Sequence, residues 1–431
     1  MKTITNSILM ICIYLFTISC DKKSDTITHK DDYNKYLTNN KNESLEFTKG
    51  EISFWQNKYD KAPNQLSYLS VLASNYSKLF DITANIDDLL KAEELLVKSN
   101  ETYNYSSVGT IRSLARNYIS QHRFKEAFEL AKKAEAIGES IKETRKLLFD
   151  VQMELGNYGE AENNLKLLSD QQDFDYLIRA AKWNDHLGDL NTTISLMEKA
   201  KNKAEKFNNN YLKIWSYTNL GDFNGHAGNI AKAYDYYLKT LAIDPKNSYA
   251  LKGIAWIIFS HEKNTKEANR IIGIVSKRHN SPDFYLLKSQ IAEFENNSKL
   301  KSENLEKYFK MLENNKYGAM YNRYNALIFA EDKANVSKAL KIAKIEINHR
   351  PTAESYDLLA WSYFNMGEKQ KALEIEEQYI VGKTAEPKLK YHLAEIYKGN
   401  NMNQKIVPIK EELLQSVFEL GPNLEKKVIN L

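Results

Sequence analysis

The sequence predicts an all-α protein, a stack of antiparallel helix pairs. Three observations carry that expectation. Gly (16) and Pro (7) are sparse in 431 residues, so tight turns are few. A helical pattern of small and large residues recurs about every 35 positions from Leu66 onward. No segment shows the two-residue alternation of a strand. Hydrophobic residues at 42% and charged ones at 27% suit a folded body rather than a disordered chain.

The elements follow in chain order. Met1 to Ser7 is short and polar and carries Lys2, and Ile8 to Ile18 is apolar except for Thr17. Eleven residues cannot cross a bilayer, which takes about 20 in a helix, so the run reads as a signal-peptide core. Thr17-Ile18-Ser19-Cys20 and a polar stretch follow it. This resembles the bacterial lipoprotein signal, although Thr17 stands where Leu is commoner. The resemblance implies residues 1–19 as a signal peptide, cleavage before Cys20, and lipid on Cys20. Several acyl chains hold far more firmly than one, since each buried methylene adds about 0.8 kcal/mol. The mature chain would then have no free thiol, because Cys12 leaves and Cys20 is blocked. Loss of Lys2 would lower the formal charge from +4 to +3, too small for a general nucleic-acid binder. Residues 20–43 are expected to be the lipidated Cys and a flexible tether. Asp25-Thr26-Ile27 resembles a short O-glycosylation signal, a pattern common by chance.

Residues 44–431 read as the solenoid. Ile52, Trp55 and Tyr59 form a helical stripe before Ala62-Pro63, as a lone helix capping the start. A small residue on each second helix then recurs at Ala92, Ala127, Ala161, Thr193, Ala233, Ala268, Asn304, Ala339 and Ala372. In clear copies a small residue on the first helix lies twelve positions earlier, as with Gly221 and Ala233, or Ala360 and Ala372. Gly228 and Gly367 end first helices, where a left-handed conformation costs Gly little. Pro245 and Pro351 follow second helices as stop signals. The copy around Ile291 to Met311 is degenerate. Lys388 to Lys398 gives one more first helix, and Ile409 to Phe418 a final apolar-striped helix that would cap the last groove.

This pattern resembles the tetratricopeptide repeat, a helix–turn–helix unit of about 34 residues. The resemblance spans Leu66 to Tyr397 and implies a right-handed superhelical solenoid of about nine repeats. Each unit has too little apolar face to fold alone, so stacking supplies the core.

No catalytic chemistry emerges. The eight histidines show no i, i+4 metal pair, and no metal or cofactor is expected. Gly382-Lys383-Thr384 lacks the first Gly of a phosphate loop, that position being Glu377. Paired carboxylates such as Asp87-Asp88 and Glu376-Glu377 are expected on solvated helices. An enzyme is therefore not expected.

What remains is a surface. In the resembling family, first helices line the concave face. Transferred to this chain, that implies groove residues Trp256, Phe259, Trp361, Phe364, Arg116, Lys182 and Asp222, with Trp215, Tyr249, Tyr321, Tyr324 and Asp357 one or two turns earlier. The alternative for each aromatic is packing between repeats. The expected function is a non-enzymatic protein- or peptide-binding scaffold held by lipid in the cell envelope. The outer membrane is favoured over the inner; Asp21 after the Cys would favour inner-membrane retention in some bacteria, but that sorting rule does not transfer to others. A glycan-binding, nutrient-uptake lipoprotein is the alternative.

Overall fold

The structure is a computed structural model that describes residues 26–38 and 41–431. The expected signal peptide, residues 1–19, and Cys20 lie outside the described residues. Among the described residues the chain forms 23 α-helices and one π-turn, and no strand.

Helices α1 (Lys30–Thr38) and α2 (Glu43–Lys61) come first. Ten antiparallel pairs follow. Pair 1 is α3 (Ser67–Thr83) with α4 (Ile86–Thr102), pair 2 α5 (Val108–Ser120) with α6 (Phe124–Ile137), and pair 3 α7 (Ile141–Glu154) with α8 (Tyr158–Leu167). Pair 4 is α9 (Phe174–His186) with α10 (Leu190–Lys206), and pair 5 α11 (Asn210–His226) with α12 (Ile230–Ile243). Pair 6 is α13 (Ser248–Trp256), extended by the π-turn Ile257–His261, with α14 (Thr265–Val275). Pair 7 is α15 (Asp283–Phe294) with α16 (Ser298–Leu312), and pair 8 α17 (Asn322–Ala330) with α18 (Val336–His349). Pair 9 is α19 (Ala353–Asn365) with α20 (Lys369–Tyr379), and pair 10 α21 (Pro387–Gly399) with α22 (Asn403–Gln415). The chain ends in α23 (Val417–Ile429). The architecture is the all-α, tetratricopeptide-like solenoid.

The expected small positions all fall on second helices and are all buried, from Ala92 to Ala372. Asn304 sits in register with the rest, twelve positions after buried Ala292, so the degenerate copy is a true pair. The period continues once more to buried Ile406 on α22, making ten pairs. Ala255 and Ala268 lie thirteen apart instead of twelve, and the π-turn absorbs the extra residue.

Side-chain caps start many of these helices. Asn264 Oδ1 accepts from the Glu267 amide at 3.1 Å and Asn297 Oδ1 from the Leu300 amide at 3.0 Å. Such a cap contributes about 1 kcal/mol. Gly228 and Gly367 turn the chain at φ +74° and +91°. His122, Lys263, Asn296 and Asn401 make the same turn in other pairs without glycine, at φ +56° to +61°.

Successive coils of the solenoid touch. The Asn280 amide, just before pair 7, donates to the Thr83 carbonyl of pair 1 at 2.7 Å. Ile86 and Leu89 of pair 1 share a core with Tyr308, Tyr317 and Tyr321. The turn of pair 3 meets the entry to pair 9, where Arg350 lies 3.6 Å from Glu154 and Pro351 abuts Gly156. The turn of pair 4 meets the entry to pair 10 at Gly188 and Ala385. One coil therefore takes about six pairs.

Two terminal elements depart from expectation. The tether expected over 20–43 is not one throughout, because α1 is docked on α12 and α14 with Tyr33 and Leu37 buried. The final helix does not stop at Phe418. Helix α22 pairs with α21, and α23 turns inward against α11, the π-turn, α15 and α21. All of these are first helices or their continuation, so α23 lies in the concave groove.

Candidate functional site

The inner wall at pairs 5 to 8 is built by first helices α11, α13, α15 and α17. On α13, Tyr249, Lys252 and Trp256 fall at i, i+3 and i+7 and share one stripe. With Asp222 of α11, Asp283 of α15 and Tyr324 of α17, they line a cavity of about 320 Å³. Tyr237 reaches it from the second helix α12. Its ring fits only because Gly221 and Gly253 flank it, and a Cβ on either would come within 2.5 Å of the ring.

The polar groups are fixed. Asp222 accepts from the Tyr237 hydroxyl at 2.6 Å and from the Tyr249 hydroxyl at 2.5 Å. Burial still raises the Asp222 carboxyl above its ordinary range, against those two hydrogen bonds. Lys252 Nζ lies 3.5 Å from Asp283 and 5.5 Å from the Tyr249 ring centroid. Tyr249 and Tyr324 are half exposed, so their rings remain available. Aromatic faces beside held carboxylates suit a large apolar or cationic side chain.

Helix α23 borders this cavity. Trp256 Nε1 donates to the Phe418 carbonyl at 3.1 Å, and Ser260 Oγ donates to the same oxygen at 2.7 Å. Gly421, at φ +78° and ψ +166°, breaks α23 and lets its backbone approach the Trp256 indole. Phe418 packs into a notch at Gly225. Asn423 Nδ2 donates to the Gln290 carbonyl at 2.8 Å, and Lys263 pairs with Glu425. Trp256 immediately precedes the π-turn and Ser260 lies within it, and such turns are frequent at functional sites.

A second, polar cavity of about 660 Å³ lies between pairs 3 to 5 and the entries to pairs 9 and 10. Lys182 Nζ pairs there with Glu154 at 2.9 Å, and the neighbouring carboxylate raises the Lys182 pKa against the opposing effect of burial. Glu386 is pushed up to about 7 by burial and by Glu354 and Glu419.

The expected groove residues divide. Tyr249, Trp256 and Tyr324 converge on the aromatic cavity, and Lys182 lines the polar one. Arg116 is exposed on α5 and joins neither. Trp215 packs edge-on against Phe174 at 6.1 Å. Phe259, Tyr321 and Trp361 are only 1%, 8% and 7% exposed and serve packing. Phe364 joins them, against Gly399 and the Trp361 ring. Lys252, Asp283 and Gln290 were not anticipated. The stripe spacing on α13 was the available signal for Lys252.

Asp357 is buried and accepts from His392 Nδ1 at 2.9 Å, while the Trp361 ring stacks on His392 at 4.1 Å. Beside them Glu376 is fully buried, and neither carboxyl oxygen has a hydrogen-bond partner. The expectation that Glu376 is solvated is therefore wrong for that residue. Burial and the Asp357 charge push its pKa well up. Among the described residues, no group of three or more His, Cys, Asp or Glu is arranged to hold a metal ion.

No family model matches the chain, and no curated protein matches it. Solved structures with a similar course include the human IFIT1 dimer with PPP-AAAA, at 13% identity and a TM-score of 0.46 over 76% of each chain. A tetratricopeptide repeat protein from Parabacteroides merdae shares 17% identity at a TM-score of 0.36, over 61% of this chain and 98% of that one. Pseudomonas aeruginosa PilF shares 15% at 0.36, over 51% and 96%. At these values the likeness reaches neither ligand nor partner. What this chain itself presents is a helical-repeat inner wall, with one aromatic cavity open beside a seated segment of its own polypeptide.

Proposed function

We propose that this chain is a non-enzymatic scaffold that binds a protein or peptide segment on its inner wall, anchored through lipid on Cys20 in the bacterial cell envelope, with the outer membrane as its address. The observation that supports the binding role is the seat of α23. The wall already holds a polypeptide segment by a main-chain carbonyl, through Trp256 Nε1 and Ser260 Oγ. A carbonyl is common to every peptide, so that contact is not specific to one sequence. The adjoining cavity supplies the selective part: Tyr249, Trp256 and Tyr324 offer ring faces, and Asp222 and Asp283 offer charge. Such preformed walls bind extended or helical segments with little loss of entropy on the receptor side. The anchor reading rests on the lipoprotein-like run ending at Cys20.

A photoreactive residue in place of Tyr324, introduced in cells, tests the binding role. Crosslinking to one defined protein, lost in a Trp256→Ala background, is the expected result. Saturable glycan binding by the purified chain, abolished by Trp256→Ala and without any protein crosslink, would favour the nutrient-uptake alternative. Fatty-acid labelling that persists in Cys20→Ala would remove the anchor.

A further inference from the structure

The N-terminal segment is strapped to the outside of the solenoid. Glu262 gathers it first, accepting from the Ile27 amide at 2.9 Å, the Thr28 amide at 2.7 Å and Thr28 Oγ1 at 3.0 Å. The Tyr234 hydroxyl of α12 donates to Asp32 at 3.0 Å. The Tyr33 hydroxyl donates to Glu267 of α14 at 2.9 Å, and Arg270 Nη2 to Asn34 at 2.6 Å. Tyr33 and Leu37 enter the core of pairs 5 and 6. These partners lie on second helices or at their entry, on the face opposite the groove.

Docking begins at Ile27, and the lipid-bearing position is Cys20. Seven residues span at most about 25 Å when fully extended. We propose that the outer face of pairs 5 and 6 is held against the bilayer surface, with a phospholipid headgroup layer as its partner, and that the groove is thereby turned away from the membrane. This rests on the lipid anchor at Cys20. A long free tether would set no orientation; a short one ending in a docked strap does. The charge of this face agrees. The exposed ionic side chains on α1, α12 and α14 are Lys30, Lys35, Lys232, Lys239 and Lys266 against Asp31 and Asp235. An excess of lysines is attracted to anionic headgroups.

The test uses the lipidated full chain in vesicles of phosphatidylethanolamine and phosphatidylglycerol, with a trace of acceptor-labelled headgroup. Because Cys20 would carry lipid, a single added thiol takes the donor dye. Asp235→Cys marks the strapped face on α12, and Lys133→Cys marks α6, about half a coil away. Energy transfer to the bilayer should be at least twofold greater from position 235 than from 133. A flexible Gly-Ser insert after Asp21 should bring the two towards equality without changing the lipid on Cys20. Equal transfer from both sites, with the Cys20 lipid verified by intact mass, would overturn the orientation alone. Absence of that lipid mass would overturn the anchor and the orientation with it.

Discussion

Tyr237 shows how single residues set the site. Its ring crosses from a second helix to the inner wall through a gap made by two glycines, and its hydroxyl then holds Asp222. Gly253→Ala should therefore cost about 1–3 kcal/mol, the usual range for overpacking, measured by urea denaturation. The same variant should lose affinity for any ligand of the aromatic cavity. The small-residue register was legible in the sequence, since each small second-helix position from Ala92 to Ala372 proved buried. The aromatic assignments were legible only in part. First-helix aromatics face either the groove or the next pair, and residue type does not tell which. Phe259 follows Trp256 by three positions, but it lies within the π-turn, which winds more widely and carries it into the core. Nor does an adjacent pair of glutamates reveal that one is buried. Glu376 has its pKa raised in the folded state, so folding holds a proton that the unfolded chain releases above its ordinary range. Stability from this group is complete at low pH and is lost as pH rises towards the raised value. Glu376→Gln should consequently stabilise the chain by more than about 1 kcal/mol at pH 8, with a smaller gain at pH 5, by thermal unfolding at the two pH values.

Among elements, the two ends matter most. Helix α1 was hidden from sequence reading because its apolar residues, Tyr33, Tyr36 and Leu37, make one short turn within a polar stretch. Its order comes from long-range partners such as Glu262 and Glu267. Helix α23 was not legible because Gly421-Pro422 interrupts its apolar stripe, and the chain kinks there and resumes. The thirteen-residue spacing from Ala255 to Ala268 did mark an irregularity, and that irregularity is the π-turn. Deleting Ile258 restores the spacing of twelve and should convert the π-turn to α-helix. Trp256 and Ser260 would then no longer converge on the Phe418 carbonyl. Loss of two hydrogen bonds at about 1 kcal/mol each should accelerate amide exchange across 417–429 roughly thirtyfold. Unchanged exchange there, in a folded variant, would separate the π-turn from the docking of α23.

At the scale of the whole molecule, ten pairs wind until coils six pairs apart touch. The period predicted the stacking, but the closure depends on contacts no period records. Arg350 meeting Glu154 and Asn280 meeting Thr83 are two of them. A straight stack of ten pairs, advancing about 10 Å each, would have a radius of gyration near 30 Å. A closed coil of this length should approach the compact value of roughly 22 Å, readable by small-angle scattering. Closure also explains why the groove is narrow enough to be filled by one helix of the same chain. If the inner wall is a receptor for polypeptide, that helix should be replaceable in trans. Calorimetric titration of a chain ending at Gln415 with a synthetic peptide of residues 416–431 tests this most directly. Saturable one-to-one binding, abolished by Trp256→Ala and absent with the full-length chain, is the predicted result. A truncated chain that retains its helical circular dichroism and takes up no peptide would contradict it.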